Sequence, residues 1–303
     1  MISLIICILL SINGFLFENN GESEAFITNG ATCNNLYEWY SIIDTMSIYG
    51  INHFFIILNH TVNKWDSIIY EFDRLEIKYN EEFFEELENL IQYSRSKNIF
   101  ITIHLFSQCL LENLPGRWEN NLWNQKNGGP CPENTGENFL EVNRVKGPPK
   151  LWSWQQWNYY YQLLFLNKCL LCFGNYDTVI FSPIWEDEIG GNIVNWFYSV
   201  KFHIGFNNLV ASVPVSTYSP TVDLGDFIEI ENRGVGLEFL IYNKPVVCLG
   251  PFAGSSVDEK DFMLYCVKNK IHPSTNLKGE CMGKTEGYEF ARKLRKWFEK
   301  NFH

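Results

Sequence analysis

Short apolar runs alternate with stretches of helical period along most of the chain. Ala25-Phe26-Ile27, Ile51 to Leu58, Ile99 to Phe106, 177–184, Leu209 to Ser216, Asp226 to Glu231 and Pro245 to Leu249 read as strands. Tyr265 to Ile271 reads either as a weaker strand or as the end of a helix. Between them, Leu36, Tyr40, Ile43 and Met46 share one face of a helix over about 36–48, closed by Gly50. Asn80 is a good N-cap, and Phe83, Phe84, Leu87, Leu90 and Ile91 follow at helical spacing as far as Lys97. Gln155 to Cys172 predicts a third helix, with Tyr160, Tyr161, Leu164, Phe165 and Cys169 inward. A closing helix over 285–300 carries Phe290, Leu294, Trp297 and Phe298 on one face, with Lys293, Arg295, Lys296 and Lys300 suited to its C-terminal dipole. Counted from residue 25, eight strands alternate with helices. That pattern predicts parallel βα units and a single (β/α)8 TIM barrel over 12–303, preceded by a β-hairpin turning at Asn19-Asn20-Gly21.

The ends of the pattern are less regular. Residues 1–11 are apolar and have the length of a signal h-region, without a positive n-region; they read as a secretory signal or as a buried first strand. No other stretch predicts a transmembrane helix, so no stable membrane insertion is expected. A long irregular segment over 107–156 follows the third strand, with Pro115-Gly116, Gly128-Gly129-Pro130 and Pro148-Pro149. Loops of that length are usually functional or disordered. Trp118, Trp123, Trp152, Trp154 and Trp157 lie in or just after it, half of the 10 tryptophans of the chain. They read either as platforms for sugar rings over a barrel mouth or as a satellite core under the loop.

Composition removes some function classes. A net charge of −11 argues against a nucleic-acid partner. The nine cysteines show no zinc spacing; Cys169 and Cys172 sit in an apolar helical stretch and read as core, and Cys109 with Cys131 is the best disulfide pairing. His53, His60, His104 and His272 lack metal-ligand spacing, so no metal and no cofactor are expected. His104 stands apart, at the C-terminal end of a strand, where it could bond a sugar hydroxyl.

The fourth apolar run ends abruptly in Trp185-Glu186-Asp187-Glu188. Acids there can cap a following helix. In α/β barrels, the strand C-termini are also where working groups sit, which makes Glu186 a candidate catalytic carboxylate.

Several stretches together resemble the cellulase-like glycoside hydrolases of the retaining (β/α)8 clan. They are the helix starting after Tyr79-Asn80 with the strand ending at His104; Trp123-Asn124 and Asn127-Gly128-Gly129-Pro130 after it; Val179 to Glu186; and Lys244-Pro245-Val246-Val247. The resemblance covers most of the chain from about residue 12. It implies that Glu186 is the acid/base, that the ligand is a carbohydrate, and that His104, Trp123, Trp152, Trp154, Trp185 and Asn59 contact it. It also marks departures. Trp185 stands where the family has Asn, the second strand lacks an arginine, and the seventh runs into Leu249-Gly250, where the nucleophilic glutamate belongs. Glu231 and Glu188 are the candidates for a relocated partner carboxylate. Three readings follow: a glycosidase, a glycan-binding barrel that has lost hydrolysis, and an interaction module that keeps the fold.

Overall fold

The computed structural model describes residues 17–19, 22–29, 36–62, 67–73, 75–107, 110–112, 115–185, 193–205, 208–211, 224–230, 244–249, 259–269, 271–275 and 285–302. Eight short parallel strands run through them: β1 (Thr28–Asn29), β2 (His53–Ile57), β3 (Phe100–His104), β4 (Val179–Ser182), β5 (Leu209–Val210), β6 (Ile228–Ile230), β7 (Val246–Cys248) and β8, the last in two pieces, Ile271–His272 and Ser274–Thr275. Each pairs in parallel with the next, β5 meeting β6 through the bridge Ala211–Phe227, and Ser274–Thr275 closes the ring on β1. The expected (β/α)8 barrel is therefore the observed fold. Six described α-helices accompany it: α1 (Leu36–Tyr49), α2 (Glu81–Ser96), α3 (Trp154–Phe173), α4 (Ile193–Ile204), α5 (Glu259–Lys268) and α6 (Thr285–Phe302). None is long and apolar enough to cross a membrane.

Strand alternation divides the core in two. Phe54 and Ile56 of β2 and Ile101 and Ile103 of β3 face outward to the helices, as the 4.5 Å ring contact of Phe54 with Trp39 of α1 shows. Phe26, Phe55, Phe100, Ile180, Ala211, Phe227, Val247 and Leu249 fill the barrel. In α1 the buried face is Trp39, Ile42, Ile43 and Met46, one position round from the expected one, with Leu36 and Tyr40 only partly buried. In α3, likewise, Tyr160 and Leu164 are only partly covered, while Tyr159, Gln162 and Leu166 go inward.

Local chemistry sets the ends of the helices. The Asn80 side chain accepts from the Phe83 N–H at 3.2 Å and donates to the Ser67 carbonyl at 3.0 Å. Asn80→Ala removes a cap and leaves that carbonyl without its donor. It should cost about 1–2 kcal/mol and lower Tm by a few degrees, read by thermal unfolding. Ser153 and Gln156 cap α3 reciprocally.

The structure decides several expectations. Tyr265 to Lys268 belongs to the end of α5, and the last strand begins at Ile271. Arg295 reaches beyond its own helix and donates to the Gly50 and Ala25 carbonyls at 3.0 and 2.9 Å, tying α6 to the start of the barrel. Cys131 is a free buried thiol, so the pairing with Cys109 fails; Cys109 itself lies outside the described residues. Cys169 and Cys172 are free, Cys169 in the core. The hairpin after β2, Ile69–Asp73 against Glu76–Tyr79, was not anticipated, because neither Gly nor Pro marks its turn. The N-terminal hairpin is present, with Asn19 opposite Glu22. Residues 1–11 lie outside the described residues.

Candidate functional site

The loop after β3 decides what the tryptophans do. Trp118 and Trp123 are fully buried with Phe139 and Leu122 beneath it. Gly129 allows this, because a Cβ there would run into the Trp123 carbonyl. Trp123 donates its indole N–H to His60 Nδ1 at 3.0 Å, and His60 Nε2 bonds the Leu105 carbonyl at 2.7 Å. With no exposed surface, Trp123 is not a platform for a sugar; it packs the loop onto the barrel. Trp152 is different. It is half-buried at the start of α3, 4.7 Å from Trp157 and 5.2 Å from Tyr160, with its N–H on the Gly147 carbonyl. Trp154 lies partly buried beside it. Asn59 turns the chain after β2 by accepting from Thr61 N–H and Oγ1 at 3.0 and 2.9 Å.

Trp185 sits at the C-terminal end of β4. Its N–H donates to the Phe106 carbonyl at 2.8 Å, so the strand pairing continues past Ser182. Its ring stacks on Phe55 at 4.9 Å and meets His104 edge-on at 4.9 Å. Glu186 and Glu188 follow it in the chain; these two and Glu231 lie outside the described residues. Leu249, where the seventh strand ends, is fully buried in the barrel's apolar filling.

A polar chain crosses that filling. His53, Thr102, His104, Glu229, His272 and Thr28 are all fully buried. Thr28 Oγ1 lies 2.9 Å from His53 Nδ1, and His53 Nε2 lies 2.8 Å from Thr102 Oγ1. Glu229 Oε2 lies 3.8 Å from His104 Nε2. The Phe26 N–H donates to His272 Nδ1 at 2.8 Å. Burial sets the protonation of these groups, because charge is expensive away from water. It pulls His104 down to about 3, with His53 adding to the effect and the Ile184 carbonyl opposing it. It pulls His53 to about 3, helped by His272, and His60 to about 4. It pushes Glu229 well above the usual carboxylate range, with the nearby Thr102 hydroxyl opposing the effect.

Neither Glu229 nor a role for His53 and His272 figures among the expectations from sequence. One signal for Glu229 is parity: it lies two residues from Phe227 in the run expected to be a strand, and Phe227 faces the barrel interior. Among the described residues no group of three His, Cys, Asp or Glu side chains could hold a metal ion.

No family profile matches the sequence, and no curated protein matches it. Solved structures do. An endo-1,4-β-mannanase from Rhizomucor miehei superposes with a TM-score of 0.65 at 10% identity, over 95% of this chain and 98% of that one. An endo-β-1,4-mannanase from Thermotoga petrophila gives 0.61 at 12% identity, over 92% and 78%. A glycoside hydrolase family 5 mannosidase from Rhizomucor miehei gives 0.52 at 12% identity, over 97% of both chains. The chain shares its fold with these hydrolases.

Proposed function

We propose that the protein acts on a carbohydrate at the C-terminal mouth of the barrel, with Glu186 as general acid/base. The observation that carries this reading is the anchoring of Trp185. Its backbone still pairs with the third strand's extension at the C-terminal end of β4, the end at which barrel enzymes hold their reactive groups, and Glu186 is the next residue in the sequence. A carboxylic acid there would protonate the departing glycosidic oxygen, and its carboxylate would later take a proton from water. A second carboxylate must stand about 5–5.5 Å away for retention, or about 6.5–9.5 Å for inversion. Glu231 and Glu188 are the proposed partners. The shared fold makes β-1,4-mannan the first polysaccharide to try.

Leu249 favours a second reading. An apolar, buried side chain at the end of β7 cannot attack an anomeric carbon, which suits a barrel that binds glycan without cleaving it. A screen of polysaccharides and chromogenic glycosides with wild type and Glu186→Gln in parallel separates the two. Hydrolysis by wild type, reduced at least about 100-fold in the variant, is expected from an acid/base. Binding that survives Glu186→Gln but weakens several-fold in Trp152→Ala, with no hydrolysis in either, supports the second reading. Neither cleavage nor binding by wild type would sink both.

A further inference from the structure

His60 stands where three segments meet. It follows β2, is buried, and lies flat on the Phe106 ring at 5.0 Å. Its Nε2 is 2.7 Å from the Leu105 carbonyl oxygen, and its Nδ1 is 3.0 Å from the Trp123 indole nitrogen. A carbonyl only accepts and an indole N–H only donates. The two partners therefore settle the ring: Nε2 carries the proton and Nδ1 is bare. Burial holds the ring at about 4, so it is neutral near pH 7, as that arrangement requires. Among side chains, only a neutral imidazole offers one donor and one acceptor on a flat ring that can also stack.

The backbone repeats the connection. The His60 carbonyl accepts from the Leu122 N–H at 2.7 Å, the Val62 N–H donates to the Asn120 carbonyl at 3.0 Å, and Thr61 pairs with Asn121. The stretch Asn120 to Trp123 of the long loop is thus fastened to the chain just after β2. Leu105 and Phe106 continue β3 beyond His104. The Leu105 N–H donates to the Ser182 carbonyl at 2.9 Å, and the Phe106 carbonyl accepts from the Trp185 N–H at 2.8 Å. The residue whose carbonyl His60 holds and the residue on which it stacks are therefore the two that bridge to the end of β4.

We propose that His60 is a positioning residue: its Nε2–H holds the β3 extension at Leu105 and Phe106, and through it the place of Trp185. Trp123 occupies Nδ1, keeps the proton on Nε2, and so links the loop after β3 to the strand end that Glu186 follows. A misplacement of about 1 Å at a reacting group can cost on the order of 100-fold in rate, which is why such a tie matters. The effect on catalysis rests on the proposed role of Glu186; the tautomer and the place of Trp185 do not.

The test separates the two edges of the ring. His60→Gln keeps a donor near the Nε2 position and loses the acceptor for Trp123, whereas His60→Asn keeps an acceptor near Nδ1 and falls short of Leu105. Nitrogen NMR of the intact wild type at about pH 7 should show His60 as the neutral Nε2–H tautomer, with a scalar coupling between its Nδ1 and the Trp123 indole nitrogen. Amide exchange then follows Trp185 against Ile101, an amide of β3 bonded to the Thr178 carbonyl at 3.0 Å. In His60→Asn the Trp185 amide should exchange about tenfold faster relative to Ile101, and in His60→Gln the ratio should stay within about threefold. A general loss of stability would speed both amides alike. On any glycan the wild type cleaves, kcat should fall in the same order, with KM little changed. An Nδ1–H tautomer or an imidazolium at His60 in wild type would overturn the proposal, as would Trp185 and Ile101 moving together in both variants. If no glycan is cleaved, the tautomer and the exchange ratio still decide the role of His60, and only the reading of Glu186 is in doubt. If His60→Asn does not fold, wild type and His60→Gln decide it: a Trp185 amide that loses protection relative to Ile101, with the donor to Leu105 kept, contradicts the proposal, and a preserved ratio with the expected wild-type tautomer supports it.

Discussion

Lowering the pH from about 7 to about 4 should unfold the protein cooperatively. His53, His60 and His104 are buried neutral, with values near 3, 4 and 3 in the folded chain. Their folded values lie below the ordinary histidine value of about 6.5, so the unfolded chain binds the extra protons. The stability these groups contribute is complete above about pH 6.5 and is lost as pH falls toward their folded values. Each unit of pH in that window is worth about 1.4 kcal/mol per histidine. By about pH 4 the three together remove on the order of 10 kcal/mol, against a total of roughly 5–15 kcal/mol for a folded domain. Glu229 works the other way. Its value is raised by burial, so its contribution is full below the ordinary glutamate value and falls as pH rises; it offsets part of the acid loss. Circular dichroism and tryptophan fluorescence against pH check the prediction, and His60→Gln should move the acid midpoint lower. Unchanged spectra at about pH 3.5 would mean that the histidines are solvated.

Trp123→Ala should be among the most damaging single substitutions. The ring is fully buried and meets Phe72, Phe139 and Phe106 at 4.9, 5.1 and 5.8 Å. Its N–H is the partner of His60 Nδ1. Removing a buried tryptophan typically costs about 3–5 kcal/mol, a fall in Tm of roughly 6–20 °C for a chain of this size. Trp123→Phe keeps most of the packing and loses the hydrogen bond, so it should cost clearly less. Thermal unfolding of both variants tests this. A Trp123→Ala protein that melts like wild type but loses glycan binding would restore the ring to the ligand site.

The barrel was legible because buried parallel strands are short unbroken apolar runs, and helices of period 3.6 separate them. Ile51 to Leu58 and Ile99 to Phe106 could hardly be anything else. The interior was not legible in the same way. His53, Thr102 and Glu229 are isolated polar residues on three strands far apart in sequence, and only closure of the ring brings them together. The fate of the loop tryptophans was equally hidden. Composition cannot distinguish a ring lying over a mouth from one lying under a loop, and Gly129 showed its purpose only when its neighbour Trp123 was in place. The end of β4 lay between these cases. Its acids were conspicuous in the sequence, and the structure anchors Trp185, the residue before them.

General acid catalysis by Glu186 is tested most directly by comparing leaving groups. Glycosides with poor leaving groups need a proton on the departing oxygen, whereas those with activated aryl leaving groups depart without one. The kcat of Glu186→Gln relative to wild type should therefore fall about 100-fold or more on a polysaccharide or alkyl glycoside, and far less on an activated aryl glycoside during the bond-breaking step. Equal effects on both substrates, or no effect on either, would contradict the assignment of Glu186 as the acid.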